Sequence, residues 1–479
     1  MLMDRIRLRS NLVLNPSFVV DDASGTTAGK RRPVAFADRP ASCMPAESSR
    51  EFVVAGALQC VRPVSRLRSS REPWRLFLAS QCLSAIGTWA TRIAVAWLLY
   101  RLTRSVVWLG IAAFAGQVVV LMISPIAAAV IDRCRRRQIL LITQALFGVQ
   151  ALILFVVTVA QAATPAGIVC LGVLRGAVAA FDYPARQAFL SELTDRTDSL
   201  KQAIAFDGLQ VNVARIAGPV LAGVLIVSLG ESSCFFLDAS SYLIALAGLG
   251  LIVDPAPPPS DGLTRACRPD CCWRWLRTQR ALCVVLFLLA TTSTLCLPFT
   301  VVLPQYVNEV LGEGPSTLGV LVALSGAGAI AATVLLWGLA RLHISDRLCR
   351  WSGGAAGLCL ACLGVADTRM PAFLLVTTLG FFIMLQISAS AAFVQSVAPP
   401  DMRGRLAVVY SASFWGVAPF GSLLAGVVAD WLGTGRSFIA AGMLCALAAV
   451  IAAICNFGSV KSTRGGRSYF DRTNWGLTR

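Results

Sequence analysis

Six charged side chains stand where an apolar sequence can least accommodate them. Arg92, Arg175, Asp182, Asp207, Arg215 and Asp238 each fall inside a run of hydrophobic residues. In a hydrocarbon environment a charge near the centre costs at least about 2.5–3.5 kcal/mol, so each of these residues needs a partner or a wet cavity. A guanidinium offers a fork of donors to an anion. A buried carboxyl can take and release a proton, because burial favours its neutral form and a neighbouring arginine its charged form. The chemistry on offer is therefore charge compensation, anion binding and proton carriage. Arg175 lies about halfway along its apolar run and Arg215 about halfway along the next. Asp182 follows Arg175 by seven residues and Asp207 precedes Arg215 by eight. Both separations are about two helical turns, slightly far for pairing within one helix. Two readings stay open for the arginines: buried ion pairs, or a basic lining that works on a ligand or tunes a proton carrier. Arg92 and Asp238 fall nearer one end of their runs, and Arg92 is placed to snorkel toward the interface.

The elements that must position these residues follow from composition. Of 479 residues, 56% are hydrophobic and only 14% charged, against about 25% charged in a soluble domain. The apolar blocks run about 20 residues, enough to cross roughly 30 Å of hydrocarbon. The expected fold is an all-α polytopic membrane protein with twelve transmembrane helices in two six-helix pseudo-symmetric bundles. Residues 1–73 read as a disordered, basic, cytoplasmic extension, 74–253 as the first bundle and 254–280 as a cytoplasmic linker. Residues 281–456 read as the second bundle and 457–479 as a cytoplasmic tail.

Charge sets the expected orientation. One set of loops carries Asp132, Arg133, Arg135, Arg136 and Arg137, then Arg196 and Lys201, the linker arginines, Arg341, Arg347 and Arg350, and Arg403 with Arg405. The alternate loops are short and nearly bare. Lys and Arg collect on the cytoplasmic side, so both termini are expected there. The net charge of +17 is explained by the same rule, and no nucleic-acid partner is expected. Most of the 16 cysteines lie singly in apolar runs and act as small hydrophobes. The cluster Cys267, Cys271 and Cys272 lacks a nearby histidine and makes a weak zinc pattern, so no metal is expected. The single histidine, His343, excludes a zinc-protease helix motif, no GxSxG nucleophile occurs, and SGTTAGKR (24–31) falls short of a phosphate loop. An enzyme is not expected.

The halves echo each other at a spacing of about 200 residues. QAFLSELTDRTDSLKQAIAF (187–206) parallels AAFVQSVAPPDMRGRLAVVY (391–410), and GPVLAGVLI (218–226) parallels APFGSLLAGVVAD (418–430). Parallel repeats with a midplane site between them are a transporter architecture. Within the fifth span, Ala214, Gly218, Ala222 and Gly223 allow close helix approach, and Pro219 removes a helix hydrogen bond.

These motifs resemble the major facilitator superfamily. AAAVIDRCRRRQILL is similar to its cytoplasmic loop motif between spans two and three: Asp132 and Arg133 match the acid–base pair, Arg136 and Arg137 the further basic residues, and Ala128 stands where the family has glycine. LRGAVAA, with Arg175, resembles the span-four arginine motif associated with proton coupling. ARIAGPVLAG resembles the span-five antiporter motif, with Ala214 replacing its first glycine and Gly218, Pro219 and Gly223 matching. RGAVAAFDYPARQAFLSEL and PPDMRGRLAVVYSASFWGVAPFGSLLAG are similar to the branch that includes the enterobactin exporter and related secretion permeases. The resemblance spans residues 74–456.

The resemblance implies a secondary active transporter in a bacterial inner membrane, monomeric, that exports a small molecule such as a siderophore or drug by alternating access. The proton gradient supplies the energy and no cofactor is implied. Asp132 would latch the cytoplasmic gate with Arg186 or Arg405. Asp207 ranks first among the expected proton carriers, ahead of Asp182 and Asp238. An importer or facilitator of the same fold, or a membrane sensor that moves nothing, are the competing readings. Trp89, Trp97, Phe114 and Trp415 are candidates to stack on a flat ligand.

Overall fold

The computed structural model describes residues 73–194, 197–252, 275–276, 278–338, 346–399 and 402–457. The amino-terminal extension, most of the linker with its three cysteines, Arg196, Arg341, His343 and the tail beyond residue 457 lie outside these residues.

The apolar runs fold as helices. The first six are α1 (Pro73–Thr103), α2 (Val106–Arg133), α3 (Arg136–Val159), α4 (Pro165–Glu192), α5 (Thr197–Leu229) and α6 (Ser232–Leu251). The second group comprises α7 (Arg280–Leu295), α8 (Phe299–Gln305), α9 (Pro315–Gly338), α10 (Asp346–Leu363), α11 (Arg369–Val397), α12 (Arg403–Trp415), α13 (Ala418–Leu432) and α14 (Thr434–Phe457). No strand occurs among the described residues. Eleven helical segments among them are long and apolar enough to cross a membrane, counting Arg280–Val310 and Arg403–Leu432 as single spans. The remaining expected span, 351–367, corresponds to α10. That helix has 18 residues, and its first turns hold Asp346, Arg347 and Arg350, which leaves a shorter apolar stretch than in its neighbours.

The apolar runs 281–307 and 404–430 each predict one unbroken span, and the structure divides both. Pro298 stands at the break between α7 and α8, and a π-helical turn, Tyr306–Val310, follows Pro304. Pro304 has no N–H to donate to the ladder, and the wider turn lies immediately beyond it. Gly416 and Pro419 flank the break between α12 and α13. By contrast, α5 runs continuously through Pro219.

The same helix pairings recur in both groups. α2 packs on α4 and α3 on α4 and α6; correspondingly α9 packs on α11, and α10 on α11 and α14. Two positions 204 residues apart carry matching contacts. A Cβ on Gly176 of α4 would lie 3.3 Å from the Gly116 Cα of α2. A Cβ on Gly380 of α11 would lie 2.8 Å from the Ser325 Cα of α9. Such close backbone approach is how membrane helices gain contact without a hydrophobic driving force.

Among the described residues, the groups share a core at one end only. For convenience, the end carrying Asp132 to Arg137 is the basic end and the opposite one the bare end. At the bare end a single apolar core runs through both groups, with Leu98, Leu99, Tyr100, Val106 and Leu109 on one side and Val302, Leu303, Tyr306, Leu318 and Leu321 on the other. At the basic end the cores of the two groups are separate. One contains Trp74, Phe77, Ile131, Leu140 and Phe189, the other Leu282, Leu286, Val394 and Leu406.

Candidate functional site: the seam and its charges

The seam is built from two crossings. α5 packs on α9, and α2 packs on α13. Small residues set its closeness. A Cβ on Gly223 would come within 3.0 Å of the Ser316 Cα, and one on Gly110 within 3.2 Å of the Gly426 Cα. Phe114 and Phe420 meet edge-to-face at 5.6 Å. Two hydrogen bonds cross it among the described residues: the Tyr100 hydroxyl donates to Glu309 Oε1 at 2.8 Å, and the Ser105 hydroxyl to Asp430 Oδ1 at 3.1 Å. Toward the basic end the same helices lose their partners. Leu121, Met122 and Ile126 on α2 are exposed, as are Ile204, Phe206, Leu209 and Val211 on α5 and Val408 and Trp415 on α12. The space between the groups therefore opens at the basic end.

The mid-span charges among the described residues all come from α1, α4, α5 and α6. Arg175 reaches across the first bundle. Its Nη1 donates to Gln150 Oε1 at 3.2 Å, and its Nη2 donates to the Thr88 and Tyr242 hydroxyls, each at 3.1 Å. Nη1 lies 3.7 Å from Asp238 Oδ2, and the guanidinium sits 5.1 Å from the Phe147 ring. Asp238 is 0% exposed, and its Oδ2 has no hydrogen-bond donor. This gives a buried ion pair held by one long contact, with one carboxylate oxygen otherwise bare.

Asp182 belongs to a different cluster. It accepts from Thr143 Oγ1 at 2.7 Å and Gln144 Nε2 at 3.0 Å, and pairs with Arg186 at 3.5 Å, while Arg186 donates to Gln81 at 2.7 Å. The separation of 204 residues brings Asp182 into correspondence with Gln386, which is likewise buried and accepts from Ser352 at 3.0 Å. Asp182 is thus well satisfied. Asp207 is half-exposed on the open side and accepts from Gln187 at 3.2 Å; it forms no ion pair with Arg215. Of the three expected proton carriers, Asp238 has the most strained surroundings, because it combines full burial with an incomplete set of partners.

Arg92 does not snorkel outward. Its guanidinium folds back over Trp89 at 4.7 Å, and that of Arg215 lies 5.9 Å from the same ring. Neither has an ion-pair partner among the described residues. Gly218 brings α5 onto α1 here: a Cβ on it would stand 2.8 Å from the Ile86 carbonyl and 3.1 Å from the Ala90 amide. Ala214 and Ala222 are fully buried, and the Pro219 carbonyl faces Gly319 of α9.

The loop at the basic end is pinned within its own group. Arg136 pairs with Glu192. Arg137 donates to the Leu249 and Gly250 carbonyls at 3.1 and 3.0 Å, satisfying acceptors that the end of α6 leaves without helical partners. Arg133 and Asp132 are exposed, and Asp132 has no ion-pair or hydrogen-bond partner among the described residues. Arg186, one of its two expected partners, is engaged by Asp182 and Gln81. Arg405 lies in the first turn of α12.

Thr88, Gln150 and Tyr242 went unnoticed in the sequence. A signal existed for two of them. Thr88 precedes Arg92 by four residues, and Tyr242 follows Asp238 by four, each one turn along the same helix face.

Comparison with known proteins fits this geometry. Residues 67–471 match the family described as transmembrane secretion effector, within the major facilitator superfamily. The chain belongs to that family. It is 26% identical to the staphyloferrin A transporter of Staphylococcus aureus over 375 residues, covering 77% of this chain and 92% of that protein. It is 26% identical to the multidrug efflux pump Tap of Mycolicibacterium fortuitum over 407 residues, covering 80% of this chain and 96% of that one. Among solved structures, an inward-facing bacterial homologue of the lysosomal transporter Spinster superposes with a TM-score of 0.65 at 14% identity, covering 82% of this chain and 99% of that one. An inward-facing bacterial homologue of ferroportin gives 0.60 at 17% identity, covering 80% and 98%. The chain is thus a multi-pass membrane transporter of small molecules and not an enzyme.

Proposed function

We propose that this major facilitator transporter exports a small molecule of the siderophore or drug kind in exchange for protons, as a monomer in a bacterial inner membrane. The observation that carries the reading is the one-ended seam, a single core joining the groups at the bare end and separate cores at the basic end. A barrier closed at one end and open at the other is one of the two states that alternating access requires. With the arginine-rich loops in the cytoplasm, the open mouth faces inward and loads from the cytoplasm.

The Arg175–Asp238 pair supports proton coupling. A proton on Asp238 would remove the carboxylate charge that faces Arg175 and leave the guanidinium to readjust its bonds with Gln150, Thr88 and Tyr242. Those residues lie on α3, α1 and α6, so the change is felt across the bundle. Asp132, with no partner in the open state, is available to latch the basic end when it closes.

The test uses inverted membrane vesicles, which present the cytoplasmic face outward, energised to an acidic interior. Uptake is followed for a citrate-based siderophore and for ethidium. Accumulation of one of them above its external concentration, lost when nigericin collapses the pH gradient, is expected. Uptake equal to that of vesicles lacking the protein refutes transport of these classes. Flux that survives nigericin makes the chain a facilitator.

A further inference from the structure

Arg92 and Arg215 are the feature that the coupling device does not use. They come from different helices, α1 and α5, yet share the ring of Trp89, with guanidinium carbons 4.7 and 5.9 Å from its centre. They carry like charge, and although Asp238 acts on Arg92 from farther away, no carboxylate stands within ion-pair distance of either among the described residues. The indole face gives each an attractive but uncharged neighbour. Placing two like charges together near the middle of a membrane is unfavourable unless water or a bound anion offsets them.

Their surroundings indicate which side they face. Arg215 stands at the seam, where a Cβ on Gly326 of α9 would lie 3.3 Å from its Cγ. α1 is flanked by α2, α4, α5 and α6 of its own group and touches α8 and α9 of the other. Arg92 is nevertheless exposed, so it borders the space between the groups, the space that opens at the basic end.

We infer that Arg92 and Arg215, braced by Trp89, form an anion site for a ligand carrying at least two carboxylate or comparable oxyanion groups. Only the fate of the bound ligand rests on the transporter reading. Two guanidinium forks at one ring match two oxyanions on one molecule, since each fork can hold a carboxylate through two parallel hydrogen bonds. A single carboxylate would neutralise only one of them. A lipophilic cation would meet two like charges and be excluded. The site therefore discriminates among small-molecule cargoes by charge, and it favours the acidic ones.

The experiment measures binding by calorimetry to the full-length protein in lipid nanodiscs, with citrate, acetate and tetraphenylphosphonium as probes. Wild type should bind citrate at least about tenfold more tightly than acetate and show no heat with tetraphenylphosphonium, as two forks against one demand. Arg92→Gln and Arg215→Gln should each weaken citrate at least about tenfold, and the double variant should lose it. Because neither arginine has an ion-pair partner to orphan, the variants should keep the wild-type melting temperature. Arg92→Lys and Arg215→Lys should recover part of the affinity. Citrate binding no tighter than acetate, or unchanged in the double variant, overturns the site. Binding requires no flux, so intact citrate binding with no uptake in the vesicle assay would sink the export reading and leave the anion site standing.

Discussion

Replacing Gly319 with alanine should tip the protein away from the state that is open at the basic end. Gly319 lies on α9, and an added Cβ would fall on the Pro219 carbonyl oxygen, 3.2 Å from that carbonyl carbon and 3.3 Å from the Gly223 Cα. Ordinary carbon–carbon contacts lie at about 3.5–4.0 Å. The atoms in the way are all backbone, so no side chain can swing aside. α5 and α9 must separate by roughly 1 Å to restore such contacts, which loosens the bare-end seam along its length. Overpacking of this kind costs about 1–3 kcal/mol. The cost falls only on the state in which α5 and α9 touch there, so the equilibrium between the two access states should shift about 5- to 150-fold toward the one open at the bare end. Hydrogen–deuterium exchange in nanodiscs reads this directly. Peptides covering 214–229 and 315–326 should exchange faster than in wild type. Peptides covering 121–133 and 204–213 should exchange more slowly. Faster exchange everywhere would indicate simple destabilisation, and unchanged exchange at both ends would refute the assignment of the seam as the gate.

Four further outcomes follow from the same geometry. Asp238→Asn should abolish uptake driven by a pH gradient, and the melting temperature should fall because Arg175 loses its counter-charge, a loss of about 3–5 kcal/mol when a buried pair is broken. Asp207→Asn should leave gradient-driven uptake within about twofold of wild type, judged against the general neutrality of exposed sites; if it uncouples transport instead, the proton carrier is Asp207. Tyr100→Phe removes the hydrogen bond to Glu309 and should shift exchange in the same direction as Gly319→Ala, by about 1.5 kcal/mol, the lower figure for a bond to a charged group. Asp132→Asn should slow flux at normal protein level while leaving exchange at the basic end unchanged, because Asp132 is unpartnered in this state; a wild-type rate would remove the latch.

What could be read before the fold was known divides along a physical line. Helix positions were legible because a lipid environment demands long apolar runs, and the repeat was legible because residues 187–206 and 391–410 match at a spacing of about 200. The interruptions near Pro298 and Gly416 were less so, since Pro219 is as conspicuous in sequence yet leaves α5 unbroken. The charged residues were easily found but not easily paired. Spacing along one helix put Asp182 and Asp207 slightly too far from Arg175 and Arg215 and did not say which neighbouring helix supplies a partner; that of Arg175 comes from α6. Arg215 meets instead another arginine and a tryptophan. Which residues meet depends on how helices are arranged side by side, and a single sequence carries no direct record of that. Thr88 and Tyr242 show what was recoverable, because each sits one turn from a charge already singled out.

The uneven sharing of charge between two otherwise matching bundles has a consequence for how such a carrier diversifies. Among the described residues, the ionised groups near the middle of a span belong to α1, α4, α5 or α6, and the second group places none there. On the proposed proton coupling, the first bundle would work as the engine and the second as an adjustable wall. Contouring that wall by exchanging one small or apolar side chain for another would resize the chamber for a new cargo while leaving the drive train untouched.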